Sequence, residues 1–597
     1  MASRKSILTI AVIPVTIAIV LVIVFGSSLL PSFHGSNNEK SNTTQKSTSS
    51  SPAALVNMGN AGGISKKDGD NILIRKVLLN NSTHIDTPYV KEYSLPNGTW
   101  PNSILVARNG IVWTVGTKSN TLISFDPKQS KVMAAYPIIT PEESSKTNNQ
   151  SNLGFHMVWT IVEDNDGSIW FPQAGSDPLW RFDPNTDKFQ IIHSISAAPM
   201  QMKVDHKTGN IWFTTFGTGT FGVIQKVKSK SSGGSAGTND NLNTTVPEYK
   251  VKEFNLGNES FPSGIFLRGD SVWVTESLSN KLVQFKPVVN ANREVLSIVK
   301  VSEIPQSSSS SSNGKLLNTP ADLVVFEANN DNKSSSIWIT EHGSSFVTEY
   351  QTALHSVTRF PTSSSFRHYT TLPYWIRAAE NGSKSFWFNE HEGNRISFFN
   401  TTNNSLTEYE VPTRDPRDGY LANALTLAID PNNSNSTWFT EFNHDTIGVV
   451  DRSRAIPFDI DSPVNKIVIT PNTGTKNNTL AKINVEITAR NSGNTSYLVN
   501  STNKNDNNDN NHNLIFFNAS SSMTPLGRFV NMTAKFSPTS IINLTKIKDD
   551  ESGKSQSVQL ILERNNSTIP AGNYTLGISA TDGTVTKSIF RDLSVKK

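Results

Sequence analysis

Asp166-Gly167-Ser168-Ile169-Trp170-Phe171 is a polar turn that runs directly into a β-branched and aromatic stretch. Asp and Gly supply turn geometry, and Ile-Trp-Phe suits a pleated, packed surface. A Trp followed mainly by a β-branched or aromatic residue recurs in the same frame at Trp113-Thr114, Trp212-Phe213, Trp273-Val274, Trp338-Ile339, Trp387-Phe388 and Trp438-Phe439. One Trp in a strand is ordinary core, whereas copies in one local frame mark a repeat. Most copies are followed by a further strand, as in Leu179-Trp180-Arg181-Phe182-Asp183-Pro184, and a fourth strand often ends in Pro, as in Leu406-Thr407-Glu408-Tyr409-Glu410-Val411-Pro412. The unit is therefore strand A (Pro-x-x-Ile), turn, strand B (Ile-Trp-Phe-Thr-Glu), loop, strand C (x-Ile-x-x-Phe-Asp), turn, strand D (Glu-Tyr-x-Leu-Pro).

Four short antiparallel strands per unit and one Trp per unit predict an all-β, seven-bladed β-propeller over residues 71–460, with each Trp filling the wedge between neighbouring blades. The copies are unevenly spaced because some loops, such as 229–246 and 307–312, are long polar insertions. Tyr89-Val90-Lys91-Glu92-Tyr93-Ser94-Leu95-Pro96 has the strand D pattern but precedes the first strand A. It is expected to add to the last unit, at about 424–451, so that the ring closes and no sheet edge is left open. After Pro463 the repeat stops. Runs such as Lys482-Ile483-Asn484-Val485-Glu486-Ile487-Thr488-Ala489, and the final run from Pro570 to Gly583, predict an immunoglobulin-like β-sandwich over 461–597 with a polar loop at 500–513.

Upstream, Arg4 and Lys5 precede an apolar run from Ile7 to Phe25. About 20 such residues span the hydrocarbon core of a bilayer. Residues 1–30 are thus expected to form one transmembrane signal anchor with a cytoplasmic N-terminus, a cleaved signal peptide being the competing reading. Residues 31–70, rich in Ser, Asn and Thr, are read as a disordered stalk. The expectation is a single-pass cell-membrane protein with its bulk extracellular, and the 22 Asn-x-Ser/Thr sequons fit a glycoprotein. The anchor and the sandwich are expected beneath the ring, with the opposite, upper face open to ligands.

A net charge of +4 on 597 residues, with Lys and Arg scattered, gives no electrostatic case for nucleic acid. The absence of cysteine excludes disulfides, iron–sulfur clusters, thiolate zinc sites and Cys nucleophiles.

The unit resembles virginiamycin B lyase, or streptogramin lyase, in its Asn210-Ile211-Trp212-Phe213, Trp438-Phe439-Thr440-Glu441 and Arg181-Phe182-Asp183-Pro184 stretches. The resemblance covers about 88–460. It implies a lyase that opens the ester-linked ring of a cyclic depsipeptide by elimination, with magnesium held by glutamates and with acting His residues in Pro-His-Gly/Ala-Ile motifs at the start of strand A. The matching positions here read Pro101-Asn102-Ser103-Ile104, Val158-Trp159-Thr160-Ile161, Pro199-Met200-Gln201-Met202, Pro262-Ser263-Gly264-Ile265, Pro320-Ala321-Asp322-Leu323, Pro373-Tyr374-Trp375-Ile376 and Ala422-Asn423-Ala424-Leu425. None carries His, which argues against transferring the activity.

Three residues after each Trp stand Gly116, Gln173, Thr215, Glu276, Glu341, Glu390 and Glu441. The ends of strands B and the starts of strands A share the upper face, so the carboxylates form an arc over four consecutive units, beside His342, His391, Glu392 and His444. Clustered carboxylates repel unless a cation sits among them. Glu276, Glu341, Glu390 and Glu441 are therefore candidate ligands for magnesium or calcium, with His391 as a candidate base. The plainer alternative is that Thr-Glu is a repeat pair whose Glu bonds to the neighbouring blade's backbone. Two functional readings stay open: a surface recognition module for a small molecule, glycan or surface protein, or a metal-dependent lyase or lactone/ester hydrolase.

Overall fold

The computed structural model describes residues 84–138, 158–172, 179–192, 195–196, 199–215, 217–227, 248–304, 316–327, 335–363, 370–379, 384–415, 421–442, 444–470, 478–490, 513–547, 549–550, 553–565 and 567–597. All of them belong to one compact unit, residues 81–597. The expected anchor and stalk lie outside them, as do Gln173 and most of the 500–513 loop. Among the described residues no helix is long and apolar enough to cross a membrane.

Apart from a 3-10 turn at Leu544–Lys546, the described elements are β-strands. Up to residue 451 they fall into four-strand antiparallel groups in chain order. The first holds Pro101–Val106, Val112–Gly116, Thr121–Asp126 and Lys131–Pro137. The second holds Val162–Glu163, Ile169–Pro172, Leu179–Asp183 and Lys188–Ile192. The third is Pro199–Asp205, Asn210–Thr215, Thr220–Val227 and Glu248–Asn255, and the fourth Pro262–Arg268, Ser271–Glu276, Lys281–Val289 and Val295–Ile304. The fifth is Pro320–Phe326, Ser336–Glu341, Phe346–Gln351 and Ser356–Pro361. The sixth is Pro373–Ala378, Ser385–Glu390, Arg395–Asn400 and Ser405–Glu410. The last consists of Ala424–Ile429, Ser436–Glu441 and Thr446–Asp451, completed by Val90–Ser94 from the start of the described chain. Val90 pairs with Val450 and Ser94 with Thr446, so the first strand in sequence is the outer strand of the last sheet, where its pattern predicts it.

Apolar clusters join each sheet to the next. Trp113 packs with Phe171 and Phe182 of the second sheet, and Trp170 with Met202 and Phe213 of the third. Trp212 meets Ile265 and Phe285, Trp273 meets Leu323 and Ile339, and Trp338 meets Phe386 and Phe399. Trp387 meets Tyr409, which touches Tyr89 beside the closing strand. Trp438 then packs on Ile104 and Phe125 of the first sheet. This is β-propeller packing, and the repeated Trp is its wedge, burying a large aromatic area between faces. The second sheet departs from the pattern. Its strand A is only Val162–Glu163, because Val158–Ile161 replaces the usual Pro-x-x-Ile start and pairs with no strand.

The C-terminal strands form two sheets. One runs Phe458–Asp461, Thr479–Ala489, Gly553–Arg564 and Met532–Ser537. The other runs Val585–Val595, Gly572–Thr581, Leu514–Ser521 and Ile541–Asn543, with Lys466–Ile469 parallel to Val585–Val595. The second sheet is not separate from the propeller. Val585–Ile589 pairs with Ser405–Tyr409, extending the sixth sheet outward through its strand D. Phe590 packs edge-on to Phe360, and Ser345 N–H donates to Pro525 C=O (2.9 Å) at the upper B–C loop of the fifth sheet. The expected place beneath the ring is therefore corrected. These strands flank the fifth and sixth sheets, because an open strand D edge is a hydrogen-bonding surface that another strand satisfies.

Candidate functional site

The Thr-Glu pair at the end of strand B divides its work, and not as the sequence reading has it. The Thr, not the Glu, reaches the neighbouring sheet. Thr214 Oγ1 donates to Ser263 C=O (2.8 Å), Thr275 Oγ1 to Ala321 C=O (3.0 Å) and Thr340 Oγ1 to Tyr374 C=O. In the sixth sheet Asn389 takes the role, its Nδ2 donating to Ala424 C=O (2.6 Å). Each Glu stays within its own sheet, where a B–C–D row of side chains shares one face.

The rows differ in their cations. In the fourth sheet, Glu276 Oε2 accepts from Ser279 Oγ (2.6 Å), and Lys281 Nζ pairs with Glu303 of strand D (2.8 Å). In the fifth, Glu341 accepts from Thr348 Oγ1 (2.5 Å), Asn318 N–H (2.9 Å) and Arg359 Nε (3.3 Å). Burial still raises Glu341 above the ordinary carboxylate range, with Arg359 opposing. In the sixth, Glu390 accepts from Ser397 Oγ (2.6 Å) and faces Glu408, so burial and that second carboxyl push it well up. Arg395 moderates the row, 3.5 Å from Glu408 and 2.7 Å from Glu410. In the last sheet, Glu441 is fully buried and faces Glu92 of the closing strand and Thr413. Burial, then Glu92, hold it well above its usual range. Thr413 donates to Glu92 through N–H (2.9 Å) and Oγ1 (3.0 Å).

The arc of candidate ligands is thus four separate rows. Among the described residues no three His, Asp or Glu side chains come together as a metal-binding group. His391 lies in an aromatic stack rather than beside Glu441. His342 packs on Tyr374 (4.6 Å between ring centroids) and on His391 (5.9 Å), and Tyr374 packs on Trp375 (4.7 Å).

The second and third positions of strand A, the second being where the lyase motif has its His, carry buried polar atoms without hydrogen-bond partners among the described residues. Both amide atoms of Asn102 and the Tyr374 hydroxyl are in this state, as is Trp375 Nε1–H. Non-glycine residues directly before the first strand A residue adopt positive φ: Trp100 (51°), Phe261 (48°), Thr319 (52°), Leu372 (47°) and, before Ala424, Asn423 (53°). The upper rim thus stores backbone strain at one repeated point.

Sequence reasoning missed the centre of the channel. Asp322 is wholly buried, and its Oδ2 accepts from Gln201 Nε2 (2.9 Å), Ile376 N–H (3.1 Å) and Arg377 Nη1 (2.5 Å). Gln201 Oε1 in turn accepts from Ile265 N–H (2.6 Å). This bridge ties the third to the sixth sheets across the axis. An Asp at the third strand A position was the only signal in the sequence.

No protein-family model matches the chain, and no curated protein matches it. Among solved structures, virginiamycin B lyase from Staphylococcus aureus matches with 20% identity, over 61% of this chain and 98% of that one, at a TM-score of 0.42. A streptogramin B lyase structure matches with 18% identity, over 61% and 97%, at 0.42. The extracellular domain of a hybrid two component system from B. thetaiotaomicron matches with 13% identity, over 86% of this chain and 60% of that one, at 0.36. The propeller architecture is carried by the sheet order and the Trp packing described above.

Proposed function

We propose that the chain is a membrane-anchored extracellular recognition module. In this reading residues 1–30 anchor it, 31–70 are a stalk, 71–460 form a seven-bladed propeller, and 461–597 form an immunoglobulin-like sandwich that braces the fifth and sixth blades. A small molecule, glycan or surface protein binds at the upper face. Exposed sequon asparagines such as Asn97, Asn258 and Asn573 fit an exported surface.

The observation that carries the binding site is the set of orphaned polar atoms on Asn102, Tyr374 and Trp375. Buried donors and acceptors are almost always satisfied, and leaving one unpaired costs about 1–3 kcal/mol. A polar ligand seated at the start of strands A would satisfy them, with the His342, Tyr374 and His391 rings as a flat wall. Panels of glycans, lactones and depsipeptides, read by thermal shift on the full chain, test this. A ligand is expected to raise the melting temperature of the wild type, and an Asn102→Leu/Tyr374→Phe double variant is expected to lose that shift while remaining folded. A ligand held equally by the double variant would overturn the placement.

The alternative is a metal-dependent lyase or lactone/ester hydrolase. In its favour, Glu390 and Glu441 are each fully buried against a second carboxyl, Glu408 or Glu92, so a magnesium or calcium ion could replace a proton in either pair. The remaining ligands would be backbone or water oxygens. Calorimetric titration with each ion is the test. Equal, negligible heat from wild type and from a Glu390→Gln/Glu441→Gln variant would end this reading.

A further inference from the structure

Below the Gln201–Asp322 bridge lies a cavity of about 380 Å³, lined by the lower ends of strands A, Glu163 among them, and by Arg108, His206 and Pro431 of the A–B turns. Lys203 and Arg377 both line it. The nearest carboxylate, Asp322, is already committed to four donors, since its Oδ1 also accepts from Leu323 N–H (2.9 Å). Arg377 uses Nη1 for Asp322 and for Ile376 C=O (2.7 Å), and its plane lies over Trp375 (5.4 Å), which fixes the guanidinium in place. Lys203 makes no hydrogen bond or ion pair among the described residues. Ser103 lines the same cavity and is 1% exposed, and its Oγ has no hydrogen-bond partner among the described residues.

Two cations against one spent carboxylate leave this chamber with excess positive charge and unused donors. Such a place is costly when empty of anions and selective when filled. Burial, then the Arg377 guanidinium, push the Lys203 ammonium down to about 7, with Asp322 opposing. At the rim the charges are matched: Arg108 Nε pairs with Glu163 (3.2 Å), and His206 Nδ1 meets Asn165 (2.7 Å). The unmatched charge is therefore inside.

We propose that the lower chamber of the central channel binds a small oxyanion, a carboxylate, phosphate or sulfate group, between Lys203 and Arg377 with Ser103 as a hydroxyl donor. This site is distinct from the upper-face site of the proposed recognition function, and neither depends on the other. A bound anion would hold Lys203 protonated, so affinity should fall as pH rises through neutrality. The other charged or titratable groups around it are Arg377 and Asp322 inside, and Arg108, Glu163 and His206 at the rim.

Calorimetry on the full chain with acetate, sulfate and phosphate, at pH 6.5 and 8.5 and constant ionic strength, tests the proposal, and the order of affinities separates the three sources. One saturable site is expected for at least one anion. Lys203→Met should weaken it by about tenfold or more, and Ser103→Ala by a few-fold. Lys207→Met, on the exposed A–B turn, should change nothing. No saturable heat in the wild type, or equal affinity in Lys203→Met, would overturn the proposal. A readout that needs no variant is NMR of ¹³C-methylated lysines. The one resonance that titrates near neutrality should move to higher pH with saturating anion, and an unmoved titration would also overturn it.

Discussion

The sixth and seventh sheets carry the same row of acids and hold it in opposite ways. Both place a fully buried strand B glutamate, Glu390 or Glu441, opposite a strand D glutamate, Glu408 or Glu92. In the sixth sheet the first residue of strand C is Arg395, which stays charged and gathers Glu408, Glu410 and Ser363 around it. In the seventh that position is Thr446; His84 Nδ1 lies 3.6 Å from Glu92 at the exposed end of the row, and neither Lys nor Arg is paired with Glu441 or Glu92 among the described residues. The strand frame is shared, and the first residue of strand C sets whether an arginine lies within the buried row. The difference falls at the ring's closing seam, where Glu92 is carried by the only strand that comes from the other end of the propeller sequence.

Breaking the comparison from its charged side should have the largest effect. Arg395→Met would leave Glu390 and Glu408 uncompensated, while Glu410 keeps Arg414 (4.0 Å), and a buried ion pair stripped of one partner loses about 3–5 kcal/mol. Chemical denaturation at pH 7 would measure it, and adding Glu408→Gln should recover part of the loss. Arg359→Met in the fifth sheet makes the same cut around Glu341. Because Arg359 is 26% exposed, the expected loss is smaller, about 2 kcal/mol.

The seam is broken by pH. Glu441 holds its proton in the folded chain at pH values where the unfolded chain has released it. Its contribution is therefore greatest below the ordinary value of 4.5 and declines as pH rises from there to its raised value. The slope is at most about 1.4 kcal/mol per pH unit. Glu441→Gln should remove this decline, so the variant should gain about 1 kcal/mol over wild type at pH 8 and nothing at pH 4. Paired unfolding curves at both values check the sign. The smallest effect is expected from Glu276→Gln, within about 0.5 kcal/mol, because Lys281 and Ser279 already balance that row near the surface.

The repeat frame was legible because each Trp sits a few residues after its own turn signals, as Trp170 does after Asp166-Gly167-Ser168, and the closing strand was legible because it carries a strand D pattern without a strand A before it. The attachment of Val585–Ile589 to Ser405–Tyr409 was not, since edge pairing depends on which backbone is left open and not on side-chain periodicity. The carboxylate arc was legible as a frame position but misleading as a cluster. Successive sheets turn about the axis, so residues aligned in sequence are carried apart, while Glu92 and Glu441, 349 positions apart, are brought together by closure. Asp322 escaped notice for the same reason: its partners Gln201 and Arg377 come from other sheets across the channel.

The proton inventory of these rows can be read directly. Carboxyl ¹³C titration of glutamate-labelled protein, with resonances assigned through single Gln variants, should show Glu390 and Glu441 ionising at higher pH than Glu341, and Arg395→Met should move Glu390 higher still. Glu441 ionising near 4.5, at or below Glu341, would contradict a proton-held seam.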